Sequence, residues 1–148
     1  MKIEDKSISL LVVEDSDEDF ESFNRVIKSL NFSFPIYRCI DGDAALDFLF
    51  HEGEFSQSNT VPRPNLILLD LNLPGTDGRE VLETIKKNEE LKSIPIVVFT
   101  TSFNHKDVNF CYKHGVNNYI LKPMGLSALT ETLNTVIKYW FDLSVLPD

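Results

Sequence analysis

Residues 64–78, P-N-L-I-L-L-D-L-N-L-P-G-T-D-G, constrain the fold more than any other stretch of the chain. Leu66 to Leu69 form an unbroken apolar run, without the polar alternation of a strand that keeps one face in water. The run predicts a strand covered on both faces, as in a parallel sheet packed between helices. Asp70 follows at its carboxyl end, the edge where ligands gather in an open parallel sheet because strand ends and their loops converge there. Pro74, Gly75 and Gly78 mark a turn-rich loop before Arg79 opens a helical pattern. A carboxylate in that place is a candidate nucleophile.

The rest of the chain repeats the alternation of strand and helix. Residues 8–13, I-S-L-L-V-V, predict a first central strand ending in Glu14 and Asp15. Ser16 is a candidate N-cap for a helix whose Phe20, Phe23, Ile27 and Leu30 recur at three and four residues, with Asp17, Glu18 and Asp19 near its positive end. Pro35 to Ile40 is expected as a second strand, with Asp43 capping a second helix that runs to about His51. Glu52 to Pro64 is polar with two prolines and predicts a long surface loop. After Asp70 come a helix over 79–88, a strand over 94–99 ending in Thr100, a helix over 105–114 stopped by Gly115, a strand over 118–121 ending in Lys122-Pro123, and a last helix over 127–141. Five such alternations predict a doubly wound α/β domain with right-handed crossovers.

The 148 residues have room for one domain, with a core over about 8–141 and a tail over 142–148. With 43% hydrophobic and 25% charged residues and no apolar run near the length of a membrane span, the chain reads as a soluble globular protein without a membrane partner. The start M-K-I-E-D-K-S lacks the apolar core of a signal peptide, which predicts a cytoplasmic protein. A net charge of −9 argues against nucleic acid as a partner. Cys39 and Cys111 have no metal-type spacing and are expected as small buried hydrophobes.

In this architecture the strand ends bring Glu14, Asp15, Asp70, Thr100 and Lys122 to one crevice. Three neighbouring carboxylates repel one another unless a cation neutralises them, and an oxygen-rich, partly hydrated site suits Mg2+ better than zinc or iron. Asp15, Asp70 and the backbone carbonyl of Asn72 are the expected ligands, with Glu14 acting through a bound water. A carboxylate that attacks phosphorus needs charge offset on both reactants, which Mg2+ and Lys122 supply while Thr100 donates to a phosphoryl oxygen.

The sequence resembles the receiver domains of two-component response regulators. L-V-V-E-D-S, L-L-D-L-N-L-P-G-T-D-G, V-V-F-T-T and Y-I-L-K-P match that family's motifs in order, over about Ile8 to Trp140. Within the family the similarity is closer to the single-domain regulators of cyanobacterial-type phytochromes, on R-P-N-L-I-L-L-D-L-N-L-P, D-G-R-E-V-L, the long loop and the Y-W-F…V-L-P tail. The resemblance implies a flavodoxin-like receiver fold with five parallel strands in the order 2-1-3-4-5 and five flanking helices. It also implies phosphotransfer from a histidine kinase to Asp70, a switch through Thr100 and Tyr119, and a cis Lys122–Pro123 bond. Thr101 departs from the family, where many members have Ala or Gly, and is expected to narrow access to the site.

Two other functions share the architecture. A haloacid-dehalogenase-like phosphatase needs a second acid two residues after the nucleophile, and this chain has Asn72 there, so the expectation is a signalling domain and not a turnover enzyme. A flavodoxin-like cofactor binder should offer hydroxyls and backbone N–H groups after its first strand, where this chain places E-D-S-D-E-D. The end of the chain carries more apolar residues than one core-facing stripe needs. Tyr139, Trp140, Phe141, Leu143, Val145 and Leu146 are therefore expected to form a homodimer surface.

Overall fold

The computed structural model describes residues 8–57 and 61–147. Strands β1 (Leu10–Val13), β2 (Ile36–Cys39), β3 (Leu66–Leu69), β4 (Ile96–Thr100) and β5 (Asn118–Leu121) form one sheet in the order β2-β1-β3-β4-β5. Every neighbouring pair is parallel. Helices α1 (Asp17–Ser29), α2 (Gly42–Phe50), α3 (Gly78–Lys87), α4 (His105–Lys113) and α5 (Leu126–Ile137) connect and cover the strands. The expected fold class is the one observed.

The two-sided burial read from the apolar runs has a direct structural counterpart. Side chains alternate across a strand, so Leu10 and Val12 pack with α1 and α5 residues such as Phe23, Ile27, Leu133 and Ile137. Leu11 and Val13 pack on the opposite face with Ala45 and Phe48 of α2, Leu82 and Ile85 of α3, and Cys111 of α4. Both cysteines are buried free thiols. Burial, with nearby carboxylates, pushes Cys39 up to about 12.

Two close backbone approaches set the loop that follows β3. The N-terminus of α2 lies on it through Gly42, whose N–H donates to the Pro74 carbonyl at 3.3 Å; a side chain at Gly42 would overlap the Thr76 carbonyl. Gly78, at the start of α3, lies against the Asp70 carbonyl and Leu71 in the same way, and its N–H donates to the Leu71 carbonyl at 3.0 Å. Asp41, not Asp43, is the N-cap of α2, accepting from the Ala44 N–H at 2.7 Å. The Asp43 carboxylate accepts instead from the Thr76 hydroxyl, since a residue inside the first turn points outward along the helix start.

The loop between α2 and β3 is better anchored than its composition suggests. Gly53–Phe55 forms a 3₁₀ turn, and the Phe55 ring meets Phe48 edge-on at 5.2 Å. Residues 58–60 of that loop, and the N-terminal residues 1–7, lie outside the described residues.

The last helix changes pitch. After Ile137 the chain runs as a π-helix over Lys138–Leu143, and this wider turn rotates the side chains away from the α-helical stripe. Phe141 consequently enters the core, 2% exposed, with its ring edge-on to Phe34 at 4.8 Å. That placement corrects its expected position on a dimer surface. Trp140 is partly buried and donates from Nε1 to Asn118 at 3.1 Å, and Leu146 also packs partly against the core. Tyr139, Leu143 and Val145 remain exposed, the last at 98%.

Candidate phosphoacceptor site

The carboxyl ends of β1, β3, β4 and β5 meet at one pocket. Glu14 and Asp70 are buried there, 5% and 6% exposed, and Asp15 is exposed. One oxygen from each of these three carboxylates lies within 4.8 Å of the others, the one such cluster of potential metal ligands among the described residues. An all-oxygen set with one solvent-facing member matches a hard divalent cation that retains water.

Each carboxylate is held by its neighbours. Glu14 accepts from the Ser16 N–H at 3.1 Å, and its own carbonyl accepts from Arg38 Nε at 3.0 Å. Ser16 also caps α1 by accepting from the Asp19 N–H, as its position after the first strand suggested. Asp70 Oδ1 accepts from the Asn72 N–H at 3.3 Å, which turns the loop directly after the strand. Burial pushes the Glu14 carboxyl up from its ordinary range, against the opposing pull of Lys122.

Lys122 is the positive centre of the pocket. Its ammonium lies 2.6 Å from Glu14 Oε1, 2.8 Å from Asp19 Oδ2 and 3.0 Å from Asp70 Oδ2. Burial alone would lower its pKa, but the three carboxylates outweigh that and raise it. Among the described residues no peptide bond is cis, so the expected cis Lys122–Pro123 bond is corrected to trans. The Lys122 N–H donates to the Thr100 carbonyl at 2.8 Å, and this continued pairing with β4 aims the side chain into the pocket without isomerisation.

Thr100 is fully buried at the end of β4, and its hydroxyl oxygen accepts from the Ser102 N–H at 3.3 Å. Thr101, expected to narrow access, is exposed. Tyr119 sits on β5 with its hydroxyl donating at 2.9 Å to the carbonyl of Ser102, in the segment after Thr100. The histidines take no part in the carboxylate cluster: His51 Nε2 is 3.2 Å from the Val61 carbonyl and His114 Nδ1 is 2.9 Å from the Phe110 carbonyl.

Sequence reasoning missed four members of this neighbourhood. In the sequence Asp19 is a charge favourable to the helix start, and its place four residues after Asp15 is the signal that points it to the same pocket. Arg38, in the second strand, gave no signal of its reach to Glu14. Arg79 and Asp107 make a two-pronged pair at 2.7 Å for both Nε–Oδ1 and Nη2–Oδ2, and Asp107 also accepts from the Ser102 hydroxyl at 2.6 Å. Nothing in the spacing of positions 79 and 107 announces that contact.

A twisted parallel sheet in this strand order, with acids at the ends of β1 and β3, a hydroxyl at β4 and a lysine at β5, defines a receiver. Residues 10–134 match the response regulator receiver domain, and the chain belongs to that family. It is 44% identical over 138 residues to response regulator Rcp1 of Synechocystis sp., covering 93% of this chain and 92% of that protein. The Mn(2+)-bound form of Rcp1 superposes with a TM-score of 0.87 at 43% identity, covering 95% of this chain and 99% of that one. The phosphorylated cyanobacterial phytochrome response regulator RcpA superposes with a TM-score of 0.88 at 37% identity, with the same coverage. The chain is thus a response regulator akin to Rcp1 and RcpA. Among the described residues no helix is long and apolar enough to cross a membrane.

Proposed function

We propose that this protein accepts a phosphoryl group on Asp70 from a phytochrome-type histidine kinase in the cytoplasm. The observation that carries the reading is the pairing of buried Asp70 with the Lys122 ammonium at 3.0 Å, inside the cluster formed with Glu14 and Asp15. A carboxylate fixed beside a cation at a sheet edge is oriented for in-line attack, with its charge offset. A bond forms between an Asp70 oxygen and phosphorus as the P–N bond of the phosphohistidine breaks, and the imidazole leaves. Thr100 retains its hydroxyl hydrogen for a phosphoryl oxygen, and Lys122 balances the charge on the other side.

Glu14, Asp15 and Asp70, with the Asn72 carbonyl, would hold Mg2+, which supplies charge neutralisation for the phosphoryl oxygens. The Mn(2+)-bound form of Rcp1 supports a divalent ion at this site. The phosphorylated state of RcpA, a phytochrome response regulator, supports the kinase class. Asn72 cannot exchange a proton, so the chain catalyses its own phosphotransfer and slow dephosphorylation, not multiple turnovers on a separate substrate. The exposed side chains of Tyr139, Leu143 and Val145 form the homodimer surface, and Trp140, packed on Tyr139 and bonded to Asn118 beside Tyr119, connects it to the Thr100–Ser102–Tyr119 segment.

Intact-mass measurement after incubation with acetyl phosphate and Mg2+ tests the reading. One phosphoryl group, labile to hydroxylamine and absent from Asp70→Asn, is expected. Equal acid-stable uptake by Asp70→Asn would overturn it. For the dimer, sedimentation of the wild type and a Tyr139→Ser, Leu143→Ser, Val145→Ser variant is the appropriate comparison, because these positions leave the core residue Phe141 in place. A monomeric wild type in both phosphorylation states ends that part of the proposal.

A further inference from the structure

Lys122 has one partner more than phosphotransfer to Asp70 requires. Glu14 and Asp70 come from strand ends, and their side chains are 7% and 8% exposed. Asp19 comes from the first turn of α1, its side chain is 48% exposed, and its Oδ2 holds the same ammonium at 2.8 Å. It stands on the solvent side of the pocket. Asp19, Glu14 and Lys122 together line a cavity between α1 and the start of α5, bounded by Phe20, Phe99 and Leu126.

The charges around this entrance do not balance. Three carboxylates, Glu14, Asp19 and Asp70, hold one ammonium, and Asp15 adds a fourth negative charge beside Glu14 and Asp70. Of the other cations, the Arg38 guanidinium is engaged at 2.8 Å by Asp17 and lies over the Phe20 ring, and Arg25, which lines the same cavity, is 3.9 Å from Glu21. A divalent cation among Glu14, Asp15 and Asp70 leaves these four acids and Lys122 with a net negative charge, and Asp19 is the half-exposed acid that holds the ammonium shared with Asp70. The same acid competes for the ammonium that must turn toward the arriving phosphoryl group.

We infer that Asp19 is a specificity-determining residue for the phosphodonor, a carboxylate at the pocket mouth that disfavours small dianionic donors by repelling them and by retaining Lys122. The inference rests on the phosphoacceptor reading of Asp70. It predicts discrimination by donor charge. With acetyl phosphate, a dianion at neutral pH, an Asp70 oxygen–phosphorus bond forms as the acyl O–P bond breaks and acetate leaves. With phosphoramidate, which carries net charge of minus one because its nitrogen is protonated, the P–N bond breaks and ammonia leaves. Removing one negative charge a few ångströms away should help the dianion more.

The test measures initial phosphorylation rates of wild type, Asp19→Asn and Asp19→Glu with both donors at fixed Mg2+. Asp19→Asn should raise the acetyl phosphate rate about three- to tenfold and the ratio of acetyl phosphate to phosphoramidate rates by roughly threefold, as expected for one unit charge in a largely aqueous dielectric. Added salt should shrink that gain, and Asp19→Glu should keep the wild-type ratio. Equal changes with both donors, or none, would overturn the inference while leaving Asp70 as the acceptor. No uptake by wild type from either donor would overturn the phosphoacceptor reading and this inference with it.

Discussion

At the residue scale, Arg38 shows how the acidic pocket is supported from behind. Its guanidinium donates to the Glu14 carbonyl, pairs with Asp17 and lies 4.7 Å from the centre of the Phe20 ring, so one side chain fixes the path from β1 into α1. Arg38→Ala should cost about 1–3 kcal/mol through the lost charged hydrogen bond and ring contact. It should also weaken the rise in melting temperature on adding Mg2+, because the Glu14 carbonyl, at the link to Asp15, loses the donor that fixes it. An unchanged Mg2+ response in calorimetry would show that the loop holds its shape without Arg38. Gly78 makes the opposite point, that a missing side chain can be the requirement. A methyl group there would overlap the Asp70 carbonyl and Leu71, so Gly78→Ala should destabilise by more than about 2 kcal/mol and reduce phosphorylation by shifting the strand end. Wild-type rates in a folded Gly78→Ala protein would contradict that placement.

At the element scale, α3, α4 and the segment after β4 are joined by Arg79, Asp107 and Ser102. The guanidinium holds the Asp107 carboxyl below its ordinary range, with a smaller contribution from the Ser102 hydroxyl and against the effect of burial. A group with a lowered folded pKa stabilises fully above its unfolded value and loses that contribution as pH falls through the folded value. Asp107→Asn should therefore cost about 2 kcal/mol at neutral pH and flatten the stability loss below the ordinary aspartate range, measured by urea unfolding from pH 7 to pH 2.5. Identical acid limbs for the two proteins would remove Asp107 from the acid response. This junction also marks where the sequence stopped being informative. The runs Leu66–Leu69 and Ile96–Phe99 announced their strands because two-sided burial leaves no polar position, and the acids after them were legible as strand-end residues. Arg79–Asp107 depends on how two helices happen to face one another, which no local period encodes. The π-turn after Ile137 was invisible for a related reason: in α-helical pitch Trp140 continues the stripe of Leu129, Leu133 and Val136, and only packing against Phe34 reveals that the Phe141 ring enters the core.

At the scale of the whole molecule, the pocket concentrates carboxylates that repel one another when no cation is bound. Mg2+ bound by the folded chain alone should raise the melting temperature by mass action, and Asp15→Ala should abolish that rise. An equal rise in both proteins would place the ion elsewhere. The strand order carries a separate consequence, for the time course of assembly. β3 pairs with β4, and β4 with β5, across single helical crossovers, whereas Leu10 must find Leu66 across two helices and a strand, α1, β2 and α2. Longer closures cost more chain entropy and form more slowly. In pulse-labelled hydrogen exchange during refolding, amides that bridge β3, β4 and β5 should gain protection before the Asp70 N–H, which donates to Val13 across the β1–β3 seam. Simultaneous protection would argue for a sheet that condenses as a unit. If the seam closes last, Glu14 and Asp15 reach Asp70 and Lys122 only at the final step, so that a half-assembled chain already has Asp70 in place but lacks the acids that complete its pocket.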